Sequence, residues 1–147
     1  LGRINFVISR EIQKDLNKDI DFGRAIRIKT EVKFKQMESW SKSFFAIIDT
    51  GAYISLLPHD AWKNADVKII GANYWLRGLV PNSKFPVKLG RIKCVLLDSK
   101  LNISDEIDML AFLSDSEQMP IILGFKDMLE NFRLFMDCRN NTAYLED

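Results

Sequence analysis

Apolar and charged residues alternate along Ala25–Phe34, with Ile26, Ile28, Thr30, Val32 and Phe34 on one face. That two-residue period predicts a strand buried on one side. Arg91–Leu97 alternates in the same way, placing Ile92, Cys94 and Leu96 together. Phe44–Ile48 is apolar at every position, which marks a strand covered on both faces. Paired antiparallel with Ala25–Phe34, it makes a hairpin that ends at Asp49. Ile4–Ile8, Ile54–Leu57, Val67–Ala72, Ile103–Phe112 and Pro120–Leu123 read as further strands. Turn-forming Val80-Pro81-Asn82-Ser83 separates Tyr74–Gly78 from Lys84–Leu89 and predicts a hairpin; Arg133–Asp137 and Thr142–Leu145 predict a closing one. Helix is expected only in short pieces, after Pro58 around Trp62 and over Phe125–Asn131. Residues 1–23 carry a weak helical stripe (Ile12, Leu16, Ile20) and read as an N-terminal arm or linker. Residues 24–147 read as one mainly β domain.

Composition narrows the function. The chain has 147 residues, which suits one domain, and 21 basic against 20 acidic side chains. With the basic residues scattered, neither a nucleic acid nor a membrane surface is an expected partner. The apolar runs are too short to cross a bilayer. The chain opens on Leu1 and shows no secretory signal; a cytoplasmic location is expected, with an upstream targeting segment left open. Cys94 and Cys138 match no metal or redox spacing and are expected to be reduced core thiols. Asp15, Asn17, Asp19 and Asp21 alternate as in a calcium loop, but Ile20 and Ile26 stand where Gly and Glu are required. No metal or organic cofactor is expected. The single histidine, His59, has no partner for a nucleophilic triad. Asn102-Ile103-Ser104 and Asn140-Asn141-Thr142 fit the glycosylation sequon, which matters only in a secreted eukaryotic protein.

The chemically informative stretch is Phe44-Phe45-Ala46-Ile47-Ile48-Asp49-Thr50-Gly51-Ala52-Tyr53-Ile54-Ser55-Leu56-Leu57-Pro58. An Asp before a Gly at a strand end is, alone, a common turn signal. Its flanks change that reading: five apolar residues precede Asp49, Ala52 and Ser55 follow, and Ile121-Ile122-Leu123-Gly124 appears far downstream. Together the two blocks resemble those of the retropepsin-like aspartic proteases, the single-domain relatives of pepsin, over about residues 24–147. The tail Ile122–Asp147 is most similar to bacterial and retroelement members.

The resemblance implies a closed β-barrel of the acid-protease half type, with a short C-terminal helix and a flap hairpin. It also implies an aspartic endopeptidase, hydrolysing peptide bonds with mildly acidic preference. Peptide hydrolysis without metal or covalent intermediate needs a general base for water and a general acid for the amide; two carboxylates sharing a proton supply both. The chain holds a single Asp-Thr-Gly, so the pair implies a homodimer with Asp49 from each copy at the two-fold axis. Thr50 and Gly51 would build the loop, and Ala52 would lie along the substrate backbone. An extended peptide or protein substrate would bind beneath a flap at Trp75–Pro86, its side chains meeting Ile54, Leu56, Trp75, Leu79, Phe85 and Ile122. Two positions depart from the viral pattern: the flap tip lacks glycines, and Tyr53 and Phe125 replace an Asp–Arg pair, implying an aromatic contact. The alternative is a catalytically inactive dimerisation or peptide-binding module of the same fold.

Overall fold

The computed structural model describes residues 2–12, 14, 23–77 and 84–147. In chain order the elements are β1 (Arg3–Asn5), β2 (Val7–Ile12), β3 (Arg24–Gln36), β4 (Ser39–Trp40), β5 (Phe44–Ile48), β6 (Ser55–Leu57) and α1 (His59–Trp62). Then follow β7 (Val67–Arg77), β8 (Lys84–Leu97), β9 (Ile107–Ser114), β10 (Ile121–Leu123), a 3-10 turn at Leu129–Asn131, β11 (Arg133–Asp137) and β12 (Thr142–Glu146). The protein is thus mainly β, as the alternation predicted.

Among the described residues, the larger sheet runs β2-β3-β5-β10-β6-β9-β8-β7, and β3 also pairs with β8. That extra ladder, from Glu31↔Leu97 to Phe34↔Cys94, closes the sheet on itself. Closure removes the edges of the strands involved and encloses one core. Val32, Phe34, Ile92, Cys94, Leu96, Met109, Leu113 and Leu123 are among its fully covered members. β5 sits between β3 and β10, which accounts for its unbroken apolar run, although Phe45 points outward and is 63% exposed.

The segment 3–12 belongs to these sheets. β1 pairs with β12 and β2 with β3, and Ile4 and Phe6 are buried. Ile12 ends β2 opposite Arg24; Leu16, Ile20 and the Asp15–Asp21 alternation lie outside the described residues. Asp98 fastens this segment to the barrel. Its carboxylate accepts from Asn5 N–H and Nδ2, from the Lys100 and Asn102 amides, and from Asn102 Nδ2. Burial alone would raise its pKa, but the bonds from Asn102 and Asn5 outweigh that and hold it well below the usual carboxylate range. The side chain of the first sequon's Asn102 is therefore committed within the fold.

Some expectations are corrected. β8 is one strand of 14 residues where two segments were expected. Gly90 sits inside it because a Cβ there would stand 2.8 Å from Leu113 Cδ1 and 3.1 Å from the Lys68 carbonyl, so neighbouring strands close over it. Phe125–Asn131 forms only one 3-10 turn, since Asp127 adopts φ 60° and breaks the helical path. Of the two thiols, Cys94 is buried, with burial pushing its pKa up to about 12, whereas Cys138 is exposed beyond β11.

Candidate functional site

β5 delivers Asp49 to the surface between two loops that hold each other. The Asp49 amide donates to the Leu123 carbonyl (3.0 Å), continuing the parallel ladder in which Ile48 pairs with Leu123. The Asp49 carboxylate turns back on its own loop, its Oδ1 accepting the Gly51 N–H at 2.8 Å. A Cβ at Gly51 would stand 3.2 Å from that oxygen, so a side chain there would crowd the carboxylate. The carbonyl of Asp49 accepts the Ala52 N–H at 3.2 Å, completing a tight turn with Thr50 and Gly51 at its exposed tip.

The second loop clamps the first. Phe125 N–H donates to the Ala52 carbonyl (3.0 Å) and Lys126 N–H to the Tyr53 carbonyl (2.9 Å). Gly124 N–H donates to Ser55 Oγ at 3.0 Å, a bond buried in the core. Gly124 is required by contact: a Cβ there would lie 2.5 Å from the Ala52 carbonyl oxygen. Beyond it, Asp127 accepts the Leu110 N–H (3.0 Å) and pairs with Arg91 (3.3 Å), tying the Gly124 loop to β8 and β9. Burial alone would raise the Asp127 pKa; the Leu110 amide and the Arg91 charge lower it instead.

Asp49 and Thr50 border an open cleft of about 400 Å³. Its remaining walls are formed by Ile26, Ile28, Ile47, Ile48, Pro120, Ile122 and Met136, with one cation, Arg27. Arg27 was not singled out from the sequence, because a charged residue on an alternating strand reads as a solvated face. Nor was Ser55 assigned its role: a hydroxyl that accepts a buried amide across 69 residues leaves no local trace.

The residues expected to meet substrate are distributed as follows. Ile122 lines the cleft, and Leu56 stands opposite it in the β6–β10 pair. Ile54 lies half-buried before β6. Trp75 and Phe85 lie on the β7–β8 hairpin, where Trp75 pairs with Pro86 and Leu76 with Phe85; neither borders the Asp49 cleft. Trp75 is 55% exposed, with Lys84 over its ring at 5.1 Å. Leu79 and the Val80–Ser83 tip lie outside the described residues. Tyr53 and Phe125 are linked through the backbone at Lys126 and Ala52, and their rings are not among the aromatic pairs of the described residues. His59 packs edge-on against Trp62, at 5.3 Å, and takes no part in the site. No group of His, Cys, Asp and Glu among the described residues is arranged to hold a metal ion.

No family model matches the chain, and no curated protein is similar to it in sequence. Its structure is similar to the crystal structure of a retropepsin-like aspartic protease from Rickettsia conorii, with a TM-score of 0.55. The likeness covers 98% of this chain and 89% of that one at 15% identity, so it is carried by fold rather than by sequence. Mainly β, with two interlocked loops at the end of β5 and β10, the chain has a retropepsin-like fold.

Proposed function

We propose that the protein is an aspartic endopeptidase that acts as a homodimer. The observation that carries this reading is the Asp49-Thr50-Gly51 turn, clamped by the Gly124 loop at the mouth of a cleft with apolar walls. Two copies related by a two-fold axis would bring two Asp49 carboxylates together. Like charges that close do not both ionise at neutral pH, so the pair holds one proton and titrates as a unit. The ionised member takes a proton from water, whose oxygen attacks the scissile carbonyl carbon. The protonated member gives its proton to the carbonyl oxygen. The first carboxyl then gives the proton it took from water to the leaving nitrogen, the second takes one back from a hydroxyl of the tetrahedral intermediate, and the C–N bond breaks. Gly51 N–H fixes one carboxylate oxygen, leaving the other for water or its partner.

The second copy has a fitting surface. β11 is the outer strand of the three-stranded sheet β1-β12-β11, and its Phe135 and Met136 are exposed. Met136 also borders the Asp49 cleft. A two-fold axis normal to a sheet pairs only residues of one face, so the sum of paired residue numbers must be even. Centred on Phe135, antiparallel pairing of β11 with itself sets Arg133 opposite Asp137 of the other copy.

The test compares wild type with Asp49→Asn on a denatured mixed-peptide pool between about pH 4 and pH 7. Wild type should generate new peptide termini and the variant none. Cleavage in neither, or equally in both, would sink the protease reading and leave a peptide-binding or dimerisation module. A chain that stays monomeric at working concentration while cleaving would sink the shared dyad.

A further inference from the structure

We infer that Arg27 is the specificity-determining residue of the Asp49 cleft and selects peptides with an acidic side chain close to the scissile bond. This rests on the protease reading above and adds a substrate class to it.

β3 and β5 pair antiparallel, with Lys29 opposite Ile47 and Thr30 opposite Ala46. The ladder ends at Lys29 and Ile47, two residues short of Arg27 and Asp49, and both of these line the same cleft. Alternation then sorts the faces. Thr30, Ala46 and Ile48 run into the core and are buried. Arg27, Ile47 and Asp49 stand at the alternate positions and border the cleft, together with Ile26, Ile28 and Ile48. Lys29 is engaged, since its ammonium is bonded to the Glu11 carboxylate. Arg27 is exposed and makes no hydrogen bond or ion pair among the described residues.

The cleft is therefore bordered by one unengaged guanidinium and one carboxylate, with Ile47, Pro120, Ile122 and Met136 around them. A peptide laid across it displaces water from both charges. A substrate Asp or Glu next to the reacting bond would be repelled by the dyad's negative charge unless a cation sits beside it. Arg27 supplies that cation in a planar form suited to two parallel bonds to a carboxylate. A substrate Lys or Arg there would face the guanidinium and be rejected. In a two-fold dimer each copy contributes its Arg27, so the preference falls symmetrically on both sides of the bond.

The experiment uses the dimeric chain and peptides identical except for Glu, Gln or Lys scanned through the residues flanking one cleaved bond. For wild type, kcat/KM should favour Glu over Gln by about tenfold at one position on each side. Arg27→Gln should level Glu and Gln, and Arg27→Glu should reverse the order to favour Lys. Each variant's mass is read by light scattering. The Glu and Gln peptides are also titrated into Asp49→Asn and Asp49→Asn/Arg27→Gln dimers, which reads recognition without chemistry. Cleavage with no Glu preference, or a preference that survives both Arg27 variants, overturns the inference while the protease reading stands. Dimer dissociation by both Arg27 variants also overturns it, making Arg27 an interface residue. Failure of wild type to cleave any peptide removes the protease reading; Arg27-dependent Glu binding in that case would keep the recognition and discard the chemistry.

Discussion

Gly124→Ala is the sharpest probe of the clamp that holds Asp49. The added Cβ would stand 2.5 Å from the Ala52 carbonyl oxygen, 3.0 Å from its carbon and 3.1 Å from the Ala52 Cβ. These are backbone atoms and a β-carbon, with no rotamer to relieve them, so the two loops must part by nearly an ångström. Overpacking of this kind costs about 1–3 kcal/mol. The same movement stretches the 3.0 Å bond from Phe125 N–H to the Ala52 carbonyl, adding about 0.5–1.5 kcal/mol. The sum is about 1.5–4.5 kcal/mol, or a fall in Tm of roughly 3–18 °C for a domain of this size. Differential scanning calorimetry reads the first effect, and hydrogen exchange at the Phe125 amide reads the second. Gly2→Ala, with nothing within 4 Å, is the matched control and should leave Tm unchanged. Cleavage should fall about a hundredfold, since a displacement of this size spoils the geometry of the reacting groups. A Gly124→Ala protein with wild-type Tm and an equally protected Phe125 amide would refute the clamp.

Ser55→Ala leaves the buried Gly124 N–H without its acceptor and should cost about 1–3 kcal/mol, while Ser55→Thr retains most of the stability in the same melt. Asp98→Asn should lower stability by about 1.5–3 kcal/mol at neutral pH. Because the folded-state pKa of Asp98 is depressed, its contribution is full above the unfolded value of about 3.9 and is lost as pH falls toward the folded one. Chemical denaturation at stepped pH should therefore show wild type and Asp98→Asn converging below about pH 4, and parallel curves there would contradict the assignment. For the β11 register, Arg133→Asp and Asp137→Arg should each weaken self-association, whereas an equimolar mixture should recover dimers by light scattering; two variants that fail to recover each other would reject that pairing.

Much of this arrangement was legible because it repeats locally. The alternation of β3 and the closing β11–β12 hairpin follow from side-chain period and turn residues. The uniform apolar run of β5 correctly indicated a strand between two others. The pairing of Asp49 with Gly124 was readable only because both flanks are distinctive. What stayed hidden depends on neighbours remote in sequence. Gly90 reads as a break until the strands beside it are seen to leave no room for a Cβ. Asp127 reads as part of a helix until its carboxylate is found on the Leu110 amide and Arg91. Arg27 becomes informative only when it is found on the same cleft as Asp49.

The clamp also imposes an order on biosynthesis. Ser55 and Gly124 are 69 residues apart, and β5, which leads into the Asp49 loop, cannot pair with β10 until that later segment has emerged. At a translation rate of about 5–20 residues per second, that delay is roughly 3–14 s. Throughout it the nascent chain has Asp49 but no Gly124 to hold it, so the cleft does not exist while the polypeptide is unfolded and most open to cutting. Under the protease reading, cutting is thereby withheld from the unfinished chain by the sequence distance between two halves of one lock.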